Sequence, residues 1–187
     1  MGIHVFLMIF TFIVFINATE VSSFAENIIE IEQSGNDNSR HITQVGSNLK
    51  ASVNQNGNDN ITQIRQEATS ILNTATILQL GDLNNGLIEQ KNISESNNAI
   101  LNQSGVQNNA KIFQSAGSRF NDAFITQSGE QNLARVNQSG NTAFTKAQID
   151  QSGNNNQAII NLIGLRDHVV TITQGGIGNL AVYGGGP

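Results

Sequence analysis

A six-residue motif, Gln-x-Gly-x-x-Asn, recurs seven times along the chain and constrains its fold more than any other feature. Successive motif Gln residues are separated by 22, 24, 24, 24, 24 and 23 positions. Self-similarity at a fixed period of roughly 20 to 50 residues is the signature of repeat architectures, in which each unit stacks on its neighbours. The motif residues are Gln33, Gly35 and Asn38; Gln55, Gly57 and Asn60; Gln79, Gly81 and Asn84; Gln103, Gly105 and Asn108; Gln127, Gly129 and Asn132; Gln151, Gly153 and Asn156; and Gln174, Gly176 and Asn179.

Large apolar residues occupy two further positions of the repeat. One position lies two residues before the motif Gln, and the other lies nine residues after it, where the last repeat has Tyr183. We expect these side chains to form the core, because apolar residues that recur at fixed positions mark a buried face. They are Ile31, Val53, Ile77, Leu101, Ile125, Ile149 and Ile172 at the first position, and Ile42, Ile64, Ile88, Ile112, Val136 and Ile160 at the second.

From the motif Asn onward, the recurring residues (Asn, Ala, Ile and Gln) are every second residue, which is typical of a β-strand with one buried face. The segment before each Gln shows the same alternation, so each repeat contains two strands joined by turns. The motif Gly suits a turn that requires positive φ. The sequence therefore predicts an all-β fold without helix: a cross-β-like β-solenoid of about seven two-strand turns, each made by one repeat of 22–24 residues.

Inward-facing Gln and Asn side chains would be costly to bury alone. When equivalent residues stack in register, each side-chain amide can donate to one neighbour and accept from the other, which forms an amide ladder. We expect the motif Gln and Asn residues to form such a ladder. A second Gln, eleven residues after the first, should join it in five repeats, while the sixth repeat has Leu162 instead. These second residues are Gln44, Gln66, Gln90, Gln114 and Gln138.

The first part of the chain is apolar, from Ile3 to Ile16. This run predicts a secretory signal peptide with cleavage after Ala25; cleavage after Ala18, or an uncleaved membrane anchor, is the alternative. The predicted organisation is a signal peptide at 1–25, a short N-terminal segment at 26–30, the repeats at 31–183 and a Gly-rich tail at 184–187.

Composition excludes several classes of function. The chain has no Cys, so it has neither disulfides nor a thiolate nucleophile. Its nine Lys and Arg are outnumbered by fourteen Asp and Glu, which argues against nucleic-acid binding. His41 and His168 lie in different repeats without a nucleophile pattern, and Asp37, Asp59 and Asp82 are interpreted as solvated turn residues. We predict no enzyme activity, no metal site and no cofactor.

The repeat resembles the curlin repeat of curli fibre subunits over about residues 31–183. This resemblance implies a secreted protein of the bacterial cell surface that forms an extracellular amyloid fibre in biofilm matrix and cell adhesion. It implies that the chain binds other copies of itself. It also implies a second curli subunit, an outer-membrane export pore and periplasmic chaperones as partners, with no stable membrane insertion.

Two functions are compatible with the predicted fold: a fibre subunit that polymerises by templated end-to-end stacking, and a monomeric secreted β-solenoid that acts as an adhesin or binding module. Solenoids that remain monomeric need capping units, and open sheet edges are templates for further strands. The sequence shows no capping helix, which favours the fibre. The expected contacts between subunits lie in the first and last repeats, at Gln33, Asn38, Gln44, Gln174 and Asn179.

Overall fold

The computed structural model describes residues 5–7, 17–18, 26–92 and 94–186, and every regular element in these ranges is a β-strand. No helix in these ranges is long and apolar enough to cross a membrane. The strands are β1 (Val5–Leu7), β2 (Asn17–Ala18), β3 (Ile28–Ser34), β4 (Ser39–Ser47), β5 (Lys50–Asn56), β6 (Ile61–Ile71), β7 (Thr74–Asp82), β8 (Asn85–Lys91), β9 (Asn98–Val106), β10 (Asn109–Ser115), β11 (Asp122–Glu130), β12 (Leu133–Ser139), β13 (Lys146–Asn154), β14 (Gln157–Ile163), β15 (Val169–Gln174) and β16 (Leu180–Gly185).

The strands form two parallel eight-stranded sheets. Sheet A contains the odd-numbered strands and sheet B the even-numbered strands, both in chain order, so the chain crosses from one sheet to the other after every strand. From β3 onward, each odd strand and the even strand after it make one rung, from rung 1 (β3 and β4) to rung 7 (β15 and β16). The prediction of an all-β solenoid of about seven two-strand turns is confirmed.

Equivalent positions of successive repeats lie beside each other. In sheet A, Gln103 pairs with Gln127, and in sheet B, Ile112 pairs with Val136. This register follows from the alternating pattern, because a slip by one residue would turn every inward side chain of a strand to the outside.

Inward side chains from the two sheets form one continuous apolar core. Each fully buried Ile or Leu contributes roughly 1.5–3 kcal/mol relative to its exposed state. Ile31 and Ile172, in rungs 1 and 7, are only partly buried. The other residues of the predicted core are buried, together with the alanines beside them: Ile42, Val53, Ile64, Ile77, Ile88, Leu101, Ile112, Ile125, Val136, Ile149, Ile160, Ala51, Ala75, Ala99, Ala110, Ala123, Ala134, Ala147 and Ala158.

The turn that joins the two strands of each rung brings Gly backbones of successive rungs into close contact. A Cβ atom added at Gly105 would lie 2.1 Å from the carbonyl oxygen of Gly129, and the φ angle of Gly105 is +104°. Both facts exclude a side chain there. At Gly176, in rung 7, the same atom would approach only Asn179, at 3.6 Å.

The first connection between rungs differs from the others, in keeping with the shorter spacing of the first two motifs. Gln44 pairs with Gln66, but Gly46, two positions later, pairs with Ser70. Strand β6 therefore bulges between these points, at Ala68 and Thr69, which both have positive φ. The two residues by which the second repeat exceeds the first are accommodated in this bulge, between paired parts of β6.

Strand bounds differ slightly from the predicted repeat region of 31–183. Strand β3 begins at Ile28, and β16 ends at Gly185. The predicted signal peptide at 1–25, including its cleavage site, lies outside the described residues except for β1 and β2. These two short strands pair in parallel with β3 and β4, so they cover part of rung 1.

Candidate assembly site: amide ladders and the ends of the solenoid

The second Gln residues of the first five repeats form a continuous hydrogen-bonded ladder. Gln44 Nε2 donates to Gln66 Oε1 at 2.8 Å, and Gln66 Nε2 donates to Gln90 Oε1 at 2.8 Å. The same bond joins Gln90 to Gln114 and Gln114 to Gln138. All five side chains are buried. The first four donate to the next rung, and Gln138 Nε2 donates to the carbonyl oxygens of Asp122 and Thr145, so most polar atoms of this buried ladder are satisfied.

The motif Gln residues form a second ladder with the same direction. Nε2 of each residue donates to Oε1 of the next at 2.8–3.1 Å, through Gln55, Gln79, Gln103, Gln127, Gln151 and Gln174. Gln33 does not donate to Gln55; its Nε2 donates to the Asn38 carbonyl oxygen at 2.9 Å. The buried Oε1 atoms of Gln33 and Gln55 therefore have no hydrogen-bond partner among the described residues.

The motif Asn residues form a third ladder that runs in the opposite direction. Nδ2 of each Asn donates to Oδ1 of the Asn in the preceding rung at 2.9–3.2 Å, through Asn38, Asn60, Asn84, Asn108, Asn132, Asn156 and Asn179. The backbone N–H donates to the same oxygen, as from Asn108 to Asn84 at 3.1 Å. Asn108 Nδ2 also donates to the Gly129 carbonyl oxygen of the next rung at 2.9 Å. These bonds hold the closely packed Gly turns in register.

A fourth polar column, at the opposite edge of the solenoid, was missed by the sequence reasoning. The backbone N–H of Asn97 donates to Asn73 Oδ1 at 2.9 Å, and that of Asn121 donates to Asn97 Oδ1 at 3.0 Å. Hydroxyl groups of Ser94 and Ser118 accept from the side chains of Asn73 and Asn97. The available signal was an Asn six residues before the motif Gln in the first, third, fourth and fifth repeats.

The C-terminal end of the solenoid exposes apolar side chains and an incomplete ladder. Val169, Leu180 and Ile177 are 70%, 68% and 76% exposed, respectively. Gln174 accepts a hydrogen bond from the preceding rung, and its Nε2 is positioned to donate to a further rung. Asn179 donates to the preceding rung, and its Oδ1 is positioned to accept from a further rung. This end therefore offers one donor column and one acceptor column.

The N-terminal end offers the complementary groups. Gln33 Oε1 is an acceptor without a described partner, and Gln44 Oε1 is in the same state. Asn38 accepts from rung 2 through its Oδ1. Its backbone N–H occupies the position from which each later motif Asn donates to the rung before it.

Charged groups lie mainly on the outer surface. The described ion pairs include Arg65 with Glu89 at 3.2 Å and Lys91 with Glu67 at 3.5 Å. Exposed pairs of this kind stabilise a protein by only about 0–1 kcal/mol. Arg40 is the exception: it occupies an inward position, and burial lowers the pKa of its guanidinium below the ordinary value. In the described part of the chain, no cluster of three or more acidic or His side chains could hold a metal ion.

The fold and its ladders define a class of protein: a parallel two-sheet β-solenoid whose interior alternates apolar columns with amide columns. The family model of the curlin associated repeat matches residues 25–57 and 35–67. The resemblance to the curlin repeat is therefore confirmed over residues 25–67. No curated protein matches the chain.

Proposed function

We propose that this chain is the structural subunit of an extracellular curli-type amyloid fibre and that it assembles by templated end-to-end stacking. The observation that carries the proposal is the complementarity of the two ends. The C-terminal end has a free Gln donor and a free Asn acceptor, whereas the N-terminal end has the matching Gln acceptor and Asn donor. A second copy placed on the stack would continue both ladders.

This complementarity defines a head-to-tail register. Rung 7 of one copy meets rung 1 of the next, so β15 pairs with β3 and β16 with β4. Gln174 Nε2 would then donate to Gln33 Oε1, and the Asn38 N–H would donate to Asn179 Oδ1. Two identical ends cannot make these bonds, because each bond joins a residue of the C-terminal end to a residue of the N-terminal end. A heterologous interface that does not close generates an open filament.

Among the expected subunit contacts, Gln44 has no side-chain donor opposite it at the proposed junction. In the head-to-tail register its Oε1 lies over Gly185, which has no side chain to donate. The ladder of second Gln residues therefore stops within each subunit, where Leu162 of rung 6 already interrupts it. The junction would depend on the other two ladders, on backbone hydrogen bonds between sheet edges and on the apolar side chains of rung 7.

The secretion route, location and partners are proposed from the resemblance to the curlin repeat. The chain would be secreted by means of the signal peptide at 1–25 and would assemble outside the bacterial cell, in biofilm matrix and cell adhesion. Its partners would be other copies of itself, a second curli subunit that nucleates growth, an outer-membrane export pore and periplasmic chaperones. The role is structural rather than enzymatic.

The first test is a thioflavin T time course on residues 26–187, which contain all seven rungs, diluted from denaturant, followed by fibre diffraction. We expect a lag, a rise in fluorescence and a meridional reflection at about 4.7 Å. A soluble β-rich monomer that does not bind the dye would contradict the proposal and favour the alternative, a monomeric adhesin or binding module.

A second test separates junction contacts from internal ladder contacts. Gln33→Ala and Gln174→Ala each remove one partner of the proposed junction bond, whereas Gln103→Ala removes an internal ladder residue. We expect the two junction variants to elongate preformed wild-type seeds more slowly than the Gln103 variant. Equal elongation rates in the three variants would refute the assignment of these residues to the junction.

A further inference from the structure

Arg40 stands in a column that is otherwise made of small residues. The equivalent positions in the next rungs are Thr62, Gly86 and Ala110, and the column continues with Ala134, Ala158 and Ala181. The space at this position is narrow: a Cβ added at Gly86 would lie 3.3 Å from Ile77 Cγ2. The Arg40 side chain is therefore much larger than the space that this column provides in later rungs.

Arg40 lies in the rung that forms the N-terminal end. In the structure β1 and β2 pair with this rung, and under that partial cover Arg40 is only 6% exposed. Its Nε atom is buried without a hydrogen-bond partner among the described residues, as is Thr62 Oγ1 beside it. Burial lowers the pKa of this guanidinium, which reflects the cost of removing a cation from water.

The described residues place no counter-charge for this cation in the interior. The buried polar side chains of the described residues include no Asp or Glu. The described ion pairs, such as Lys50 with Glu30, join partly exposed side chains on the outer surface. A buried cation without a charged partner is strongly unfavourable, and its removal relieves that cost.

We propose that Arg40 limits end-to-end assembly by making the junction between subunits weaker than the contacts between rungs within a subunit. This inference rests on the proposed function. In a subunit whose residues 1–25 have been removed, the guanidinium is solvated at the open N-terminal end. When rung 7 of another copy covers it, the guanidinium loses water and meets Ala181, which cannot compensate its charge. The cost is therefore incurred only at junctions, once per subunit.

The test measures the critical concentration for fibre formation, which is the soluble concentration that remains at the assembly plateau. Arg40→Ala restores the small residue of rungs 4 to 7. Arg40→Gln keeps much of the side-chain volume but removes the charge. The matched control is Arg65→Ala, which removes the same charge from the outer face of β6. We expect both Arg40 variants to lower the critical concentration by about tenfold or more relative to the control.

The control also separates burial from net charge. The chain is already negative, so the loss of any one cation increases repulsion between copies and should raise the critical concentration slightly. Values for the Arg40 variants at or above that of Arg65→Ala would overturn the inference. A decrease in Arg40→Ala without one in Arg40→Gln would also overturn it, since volume would then be the cause. If the wild-type chain forms no fibres, the proposed function itself fails. If the wild-type chain forms fibres but the Arg40 variants have the same critical concentration as the control, this inference alone fails.

Discussion

Gln90→Ala tests whether the buried amide ladders stabilise the solenoid. Gln90 is fully buried in rung 3. Its Nε2 donates to the carbonyl oxygens of Thr74 and Asn97 at 3.0 and 3.1 Å and to Gln114 Oε1 at 2.8 Å. Its Oε1 accepts from Gln66 Nε2 at 2.8 Å. The substitution therefore removes one acceptor and leaves three buried oxygens without this donor.

The expected loss can be estimated from these contacts. Gln66 Nε2 keeps two backbone acceptors, so its loss is small. A buried polar atom left unsatisfied costs about 1–3 kcal/mol, and Gln114 Oε1 is the atom most affected, because Gln90 is its ladder donor. The removed methylene adds about 0.8 kcal/mol. With smaller losses at the two carbonyl groups, the free energy of unfolding should fall by about 4 kcal/mol.

The assay is urea denaturation of residues 26–187, freshly diluted and followed by circular dichroism before fibres form. The matched control is Gln157→Ala, in β14, where the Gln side chain is exposed. We expect the control to change the free energy of unfolding by less than about 0.5 kcal/mol. Equal free energies of unfolding for the two variants would show that the ladder does not stabilise the fold, and the physical account of the Gln columns would then be wrong.

Two further predictions concern the turns and the outer surface. Gly105→Ala should destabilise the solenoid by about 3 kcal/mol or more, because its Cβ would overlap the Gly129 carbonyl group at positive φ. The control is Gly184→Ala, which has open space around it and should be neutral. Thermal unfolding of both variants checks this prediction. Phe120 and Phe144 stack with ring centroids 5.1 Å apart on the exposed connections between rungs. A double-mutant cycle to Ala should give a coupling of about 0.5–1.5 kcal/mol, and a coupling of zero would show that the stack is incidental.

Alternation explains why the strands could be predicted from the sequence. Inward positions such as Ile112 and Gln114 recur at the same place in each repeat, and period two admits only one way to turn them inward. The close contact between Gly105 and Gly129 was not predicted, because the motif Gly was assigned to turn conformation alone. Its second role, close approach of the backbone of the next rung, depends on stacking geometry and not on the local sequence.

The connections between rungs were the least predictable part of the fold. The Asn73 column was missed because its residues are not part of the Gln-x-Gly-x-x-Asn motif, and Leu49 replaces the Asn in rung 2. The direction of the ladders was also beyond the sequence, since an amide can donate either way until the backbone carbonyls around it are placed. The inward position of Arg40 could be derived from the repeat alignment, but the absence of buried Asp and Glu among the described residues required the structure.

The stacking of rungs along one axis has a mechanical consequence. When the two ends of the solenoid are pulled apart, its rungs are loaded in series, so every rung bears the same force. Within one rung, this force is shared among the hydrogen bonds to the next rung. Strands β15 and β16 have six residues each, compared with nine in β11 and seven in β12. Rung 7 should therefore yield first. Each long repeat that detaches releases 24 residues, or about 80 Å of extended chain, so the solenoid would lengthen stepwise under tension and dissipate work before it breaks.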